Sequence, residues 1–382
     1  MGGMNLIKEI VNMKNIEESN LFLRKLWSEF DKIESNGWVY QPDREKGSNA
    51  IFIGFSGLGK VMFTYQKKGC IYEILVDADN KKYEIKAAIN RAKSINISNK
   101  YMVEMKFDNE DGNISPVNKI SSKLVKISED KSINTISYIC QAYSEKDLRY
   151  LIHKKRQLIQ SCMTLFTGEL YSNAQIEYNE NYQEFIDDCS FEDTYNWEWI
   201  DNDDVPQDNE KVIIPRKCIE LLEKIVKKNF YTQEIELILN ACMQFYSVNR
   251  IVKDNFYNPA YYNYGINDVI NAITVSCLEP LVALENKKSA NKLSIIKRMR
   301  KLVLKYTDPY IANYITKEVY TNRSNIFHEG KMSTTERYCG YCWPQIDPYL
   351  KNEMLNQLPV FDLFLFDLVG FIIRNYIHDN FA

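Results

Sequence analysis

Arg323 precedes His328 by five positions in the run Thr321-Asn322-Arg323-Ser324-Asn325-Ile326-Phe327-His328-Glu329-Gly330-Lys331. An arginine keeps its charge at any physiological pH and presents a planar fork of donors to an oxyanion. A histidine titrates near neutrality and can give or take a proton. Together the two types suit proton transfer beside a bound anion. The chain has 12 arginines and three histidines. Chance therefore supplies about 0.1 such pairs at any one spacing, so spacing by itself is an indication rather than a signature. Arg149 with His153, and Arg374 with His378, read as i,i+4 neighbours on one helix face.

Three further motifs bear on chemistry. Gly54-x4-Gly59-Lys60 matches the first seven positions of a P-loop, but the eighth is Val61 instead of the Ser or Thr that binds magnesium. The β-branched and aromatic run Val61–Tyr65 also follows where a helix should open, so a glycine turn in a hairpin is expected. Cys339-Gly340-Tyr341-Cys342 is a single pair without the other ligands that a zinc site needs, and no metal or other cofactor is expected. Lys287, Lys288, Lys292, Lys297, Arg298, Arg300, Lys301 and Lys305 put eight positive charges on one stretch with no acid among them. That is either a solvated helix face or a track for a phosphate backbone, which gains by releasing counterions.

These residues need elements to position them. Residues 16–36 have the period of an amphipathic helix, with Leu21, Leu23, Leu26, Trp27 and Phe30 on the apolar side. The runs 50–55, 61–65 and 70–76 are β-rich and separated by turn residues, and 101–107 suits a further strand. Connections this short make an antiparallel meander. From 145 to 166 the helical period returns. Past residue 211 the pattern is helical throughout, with helices expected after Pro215, from Thr232, after an N-cap at Asn267, over 291–305 and over 348–377. Pro280 should kink the third.

The fold class expected is an α+β N-terminal domain with an antiparallel sheet, followed by an all-α helical bundle. Charge suggests the division. Residues 1–170 carry 26 basic and 21 acidic side chains, 171–210 carry 13 acids and no Lys or Arg, and 211–382 carry 22 basic and 17 acidic. The acidic middle also holds Tyr178, Tyr182, Phe185, Tyr195, Trp197 and Trp199, too aromatic for a solvated tail, and reads as a partly docked junction.

With 382 residues, 45% apolar and 26% charged side chains and a net charge of −3, a disordered chain, a fibre and a uniformly basic nucleic-acid binder are excluded. Nine cysteines, an odd number in a chain this long, do not make a disulfide scaffold, and a reducing cytoplasm is expected. No long apolar stretch follows Met1-Gly2-Gly3-Met4, so no signal peptide is expected, and Leu6 breaks the myristoylation pattern. Leu358–Ile377 is apolar, but Asp362, Asp367 and Arg374 interrupt it, which favours a buried or interface helix over a membrane span.

The C-terminal 230–380 resembles the HEPN superfamily, whose signature is an Arg followed by four to six residues and a His on an all-α bundle. The likeness is to the Apea-like group, through Tyr320-Thr321-Asn322-Arg323-Ser324, Ile326-Phe327, His328-Glu329-Gly330, the helix with Leu284-Glu285, and a closing apolar helix with Arg374. Ser324 stands where that group often has an amide or acid, with Asn325 one place later. The resemblance implies a metal-independent endoribonuclease, in which the RNA 2′-OH attacks the phosphate to leave a 2′,3′-cyclic phosphate. Arg323 and His328 would then be catalytic, with Asn325 and Glu285 orienting groups in the site. Lys292, Lys297, Arg298, Arg300, Lys301 and Lys331 would bind RNA. On a regular helix Arg323 and His328 point about 140° apart, so convergence on one phosphate calls for a second chain. A homodimer through the helical domain is expected, with the 358–377 helix burying part of the interface.

The resemblance also implies tRNA, rRNA or mRNA as substrate, and an anti-phage, abortive-infection or toxin role with a phage-derived trigger. The alternative is a non-catalytic HEPN module that dimerises and binds RNA or protein. A nucleotide-dependent enzyme built on Gly54–Lys60 is a third reading. Charge segregation adds one more expectation, that the acidic segment 171–210 lies on the basic 287–305 helix and excludes RNA at rest.

Overall fold

The structure is a computed structural model. It describes residues 6–34, 39–44, 50–78, 80–94, 96, 98–108, 114–188, 194–227, 231–256, 264–287, 293–329, 345–346, 354–355 and 363–381. By contacts the chain forms two compact units, Met1–Tyr101 with Cys140–His153, and Met102–Ile139 with Lys154–Ala382. The acidic stretch 171–210 belongs wholly to the second.

The first unit opens with β1 (Leu6–Ile10) and α1 (Ile16–Ile33), followed by β2 (Val39–Arg44), β3 (Ala50–Ser56), β4 (Gly59–Lys67), β5 (Cys70–Asp77) and α2 (Lys82–Ser94). Asn15 caps α1 by accepting the Glu18 amide at 2.8 Å. The strands form one antiparallel sheet in the order β1-β5-β4-β3-β2. Phe22, Leu26 and Phe30 recur every four residues along α1, and with Ile85, Ala88 and Ile89 of α2 they bury Val61, Phe63, Ile74 and Val76 on one face of the sheet. The α1 face that turns inward also carries charge: Arg24 grips Asp147 with two hydrogen bonds, at 2.8 and 2.7 Å.

The P-loop lookalike is the hairpin between β3 and β4, with its turn at Gly57-Leu58. Gly59 has φ +130°, and a Cβ there would sit 2.0 Å from the Asp77 carbonyl oxygen. The glycine serves strand packing, and no helix N-terminus follows it to receive phosphate.

The strand expected at 101–107 is β6 (Asn99–Asp108), but it joins a second antiparallel sheet instead of extending the meander. That sheet adds β7 (Ile120–Ser121), β8 (Val125–Asp130), β9 (Ile133–Ala142) and β10 (Gln175–Asn179), in the order β10-β6-β9-β8-β7. The strand β10 comes from the acidic segment, and Lys106 on β6 pairs with its Glu177. The long helix α3 (Glu145–Thr167) lies between β9 and β10 in the chain. Lys119 and Arg216 approach Asp188 and Asp187 at 3.7 and 3.8 Å.

The rest of the second unit is largely helical: α4 (Arg216–Lys227), α5 (Gln233–Phe256), α6 (Tyr264–Ser276), α7 (Glu279–Lys287), α8 (Ile295–Tyr306), α9 (Pro309–Asn313), a π-helical turn at Tyr314–Val319, α10 (Tyr320–Glu329) and α11 (Leu363–Asn380). An antiparallel-sheet region followed by many helices is the coarse architecture expected. Details differ. Asn267 falls inside α6 instead of capping it, because the helix starts a turn earlier. Pro280 does not kink a continuous helix: α6 ends at Ser276, and Pro280 occupies the first turn of α7, where its missing N–H costs nothing. The final helix starts at Leu363, and Met354–Leu355 pairs as a strand with Gln345–Ile346.

The apolar α11 is consumed inside the unit. Leu365, Leu368, Val369, Ile372, Ile373 and Ile377 are fully buried, and Phe366 stacks on Phe245 of α5 at 4.3 Å. This corrects the expectation that the helix offers part of a dimer interface. Among the described residues, no helix is long and apolar enough to cross a membrane.

Two charges are buried with α11. The Arg374 side chain donates Nη2 to the Trp199 carbonyl at 2.8 Å and Nη1 to the Leu165 carbonyl at 3.3 Å. Burial pushes the Asp367 carboxyl up to about 7, the charges of Asp201 and Asp203 push the same way, and Arg374 opposes them. The folded chain thus holds this proton more tightly than the unfolded one. The stability it contributes is complete below the ordinary carboxylate range and is lost as pH rises through about 7.

Two outcomes follow. Melting temperature in the wild type should fall between pH 5 and pH 8, on the order of a few kcal/mol in stability, and Asp367→Asn should flatten that slope. A wild-type slope that survives the substitution unchanged assigns it to other groups. Gly59→Ala should cost at least ~2 kcal/mol in denaturant unfolding, from the strained φ and the clash with the Asp77 carbonyl.

Candidate functional site

The π turn at Tyr314–Val319 runs into α10. A turn of this kind holds one extra residue and so rotates every following side chain about the axis. The result is that Tyr320 and Arg323 face the junction between α6 and α7. Arg323 donates Nε to the Ser276 hydroxyl at 3.1 Å, and its Nη2 lies 2.9 Å from Glu279 Oε1. The Tyr320 hydroxyl donates to the same oxygen at 2.7 Å. The Arg323 guanidinium also lies 5.4 Å from the Tyr320 ring centre and 5.3 Å from that of Phe327. Its side chain keeps 19% of its surface exposed and that of Glu279 keeps 29%, so the pair is reachable from solvent.

A second arginine enters from α8. Burial pushes the Tyr320 phenol up to about 12, the hydrogen bond and charge of Glu279 push the same way, and the charges of Arg323 and Arg298 pull it back. Arg298 is therefore close enough to feel Tyr320. Its Nε is buried without a hydrogen-bond partner among the described residues, a group that ordinarily costs free energy unless something completes it.

The other cations of α8 face outward. Lys297, Arg300, Lys301 and Lys305, with Leu304, line an open depression of about 630 Å³. Arg300 donates to Asn313 at 3.2 Å, and Lys305 pairs with Asp379 at 3.2 Å. Ser294 caps the N-terminus of α8, and Met299, Leu302 and Val303 seat its other face.

The sequence-derived residues therefore divide. Arg323 comes together with Tyr320 and Glu279, and the charge of Arg298 reaches Tyr320. Asn325 and His328 lie further along α10, and His328 is exposed. Because α10 is a regular helix here, Arg323 and His328 point about 140° apart and do not converge within one chain. Glu285, one turn and a half beyond Glu279 on α7, accepts a hydrogen bond from the Tyr376 hydroxyl of α11 at 3.3 Å, which is a packing contact. Lys292 and Lys331 lie outside the described residues, as do Cys339 and Cys342. Among the described residues, no cluster of His, Cys, Asp or Glu is arranged to hold a metal ion.

Sequence reasoning missed Glu279 and Ser276. Their signal was faint: an acid beside a proline marks a helix start, but nothing local says which distant arginine it will meet.

The described part of the acidic segment is fastened to α3 and α11 instead of lying as a loose cover. The Tyr195 hydroxyl donates to the Phe166 carbonyl at 3.4 Å, Trp199 Nε1 donates to that hydroxyl at 3.2 Å, and Asn375 donates to the Trp197 carbonyl at 3.0 Å.

No protein-family profile matches the chain, and comparison with curated proteins and with solved structures yields no match.

The geometry separates the two motif residues by thermal unfolding. Arg323→Ala should lower stability by about 1 kcal/mol, since it strands the half-buried Glu279 carboxylate. His328→Ala, at an exposed position, should leave stability within about 0.5 kcal/mol of wild type. Equal losses in both variants would contradict the placement of His328.

Proposed function

We propose that this protein is a metal-independent endoribonuclease of the HEPN type, whose working site is completed by a second copy of the chain. The observation that carries the reading is the helix α10, which holds Arg323 partly buried on the Glu279 carboxylate and presents His328 to solvent. RNA brings its own nucleophile. The 2′-oxygen attacks the adjacent phosphorus as its proton leaves to a base, and the 5′-oxygen departs with a proton from an acid. Histidine suits both roles near neutrality. An arginine fork stabilises the charge that grows on the phosphate oxygens. The products are a 2′,3′-cyclic phosphate and a 5′-hydroxyl.

A C2 pair of α10 helices would place the His328 of one copy opposite the Arg323 of the other, supplying the convergence that one helix denies. In this reading the meeting surface would be on α10 and its neighbours, α11 being buried. The lysines of α8 would carry the RNA backbone towards the site. A tRNA, rRNA or mRNA substrate and an anti-phage role in a reducing cytoplasm belong to this reading. The six described free thiols, Cys70, Cys140, Cys162, Cys218, Cys242 and Cys277, are all buried, which accords with such a compartment.

A second reading has one observation in its favour. The Arg323 guanidinium is already engaged by Glu279 and Ser276, as in a module that binds RNA or protein without cutting. A nucleotide-dependent enzyme is disfavoured by the hairpin at Gly54–Lys60.

The deciding experiment incubates purified protein with total RNA in EDTA and maps the ends. Cleavage leaving cyclic phosphate, lost in Arg323→Ala and in His328→Ala, is the expected result. Cleavage that requires ATP and magnesium, or that persists in both variants, overturns the proposal. RNA binding without cleavage by wild type favours the second reading.

A further inference from the structure

The carboxylate of Glu279 sits where a phosphate would have to sit to use Arg323. Its Oε1 receives Nη2 of Arg323 at 2.9 Å and the Tyr320 hydroxyl at 2.7 Å. Carboxylate and phosphate present the same feature to a guanidinium, a pair of anionic oxygens that accept from a planar fork, and only one of them fits a given fork at a time.

We propose that Arg298, Arg323 and the Tyr320 hydroxyl form a phosphodiester-binding pocket that Glu279 occupies as a built-in competitor, so that an RNA phosphate binds by displacing it. This rests on the RNA reading above and adds to it a pocket and the residue that closes the pocket.

Three observations support the pocket. First, Arg323 meets Glu279 through one terminal nitrogen and stays partly exposed, and the charge of Arg298 acts on the neighbouring Tyr320, so a more highly charged ligand gains by replacing the carboxylate. Second, Arg298, whose charge reaches Tyr320, keeps a buried Nε with no partner among the described residues, a donor that an oxyanion could take. Third, Glu279 stands in the first turn of the short α7, beside Pro280 and just after the break at Cys277-Leu278. A side chain at a helix start can swing away without disturbing a helix interior, and its half-exposed position gives it water to swing into. The other side of α8 supplies the approach, because the helix that carries Arg298 inward also lines the open cationic depression with Lys297 and Lys301.

The test measures binding apart from cutting. A labelled 2′-O-methyl oligouridylate lacks the nucleophile and so reports affinity alone. Glu279→Gln keeps the shape of the side chain and removes the charge. It should bind the probe about three- to tenfold more tightly than wild type, the range a partly buried ion pair is worth. Adding Arg298→Ala should cancel that gain, and in an Arg323→Ala background Glu279→Gln should give none. Inorganic phosphate should compete with the probe more strongly on Glu279→Gln than on wild type if the pocket takes a single phosphate group. Equal competition assigns the gain to a pocket that needs the polymer, and the displacement mechanism stands in either case. Should Glu279→Gln fail to fold by circular dichroism, Glu279→Asp, whose shorter carboxylate cannot reach the fork, is judged on the same criterion.

Wild-type affinity in the folded variant overturns the competitor, as does a gain that survives Arg298→Ala. The nuclease reading fails separately, by absence of cleavage in both wild type and Glu279→Gln on natural RNA. A gain in affinity without cleavage keeps the pocket and discards the nuclease. Cleavage without a gain does the reverse.

Discussion

A guanidinium with 1% of its residue surface exposed must have its charge answered inside the protein, and Arg374 sets that condition on the second unit. Its central carbon lies 3.3 Å from the centre of the Trp199 ring, and its outer nitrogens reach the carbonyls of Trp199 and Leu165. Those carbonyls belong to the acidic aromatic segment and to the last turns of α3, so one side chain on α11 ties three stretches of chain that are distant in sequence. Burial pulls its pKa down to about 10, which still leaves it charged at neutral pH. Gly370, one turn before it, has to be small, because a Cβ there would press on Phe245 at 2.9 Å and on Arg374 Nη1 at 3.1 Å. A buried charge of this kind is a demanding way to gain stability, but it is sensitive to register: sliding α11 by one residue would bury the cation without its acceptors.

That fixed helix is also what places the site. With α11 seated against α5, α6 and α8, α10 packs on α6 and reaches the start of α7 through Arg323 and Tyr320. The π turn then decides which α10 residues face it. Had the chain continued as an α-helix from Pro309, Tyr320 and Arg323 would be rotated away from Glu279 and Ser276. The price of one irregular turn is offset by Thr316, whose hydroxyl takes up the Ala312 carbonyl at 2.6 Å.

How much of this was legible in the sequence depended on whether the signal was local. The hairpins at Gly57 and at Lys68-Gly69 were marked by glycine, and the period of α1 by its leucines and phenylalanines. The β8–β9 hairpin went unread because its turn residues are Lys131 and Ser132, which adopt φ of +50° and +63° without the Asn or Gly that usually advertises such a turn. The break between α6 and α7 was read as a kink at Pro280 in one helix, since a proline signals a boundary but does not say whether the chain bends through it or restarts. The buried faces carried polar surprises that no periodicity reveals: Arg24 and Glu29 on α1 point inward because Asp147 and Arg91 are there to receive them. For the site, α10 and its Arg–His spacing were visible, and so was the charge of α8. Glu279 was not, because an ion pair between residues 44 positions apart is a property of the fold.

The comparison of two arginines shows why burial by itself does not mark function. Arg374 and Arg323 share a residue type, a nearby aromatic ring and a place on a late helix. Arg374 gives its two terminal nitrogens to backbone carbonyls, which are neutral dipoles fixed in the chain and cannot leave without unfolding it, while its Nε has no partner among the described residues. Arg323 spends its strongest contact on a side-chain carboxylate at a helix start, a partly exposed anion. An anion can be exchanged for another anion at little electrostatic cost, whereas a carbonyl of the scaffold has no such substitute. The identity of the partner, more than the depth of the pocket, separates an arginine that holds the fold from one that is free to act on a ligand.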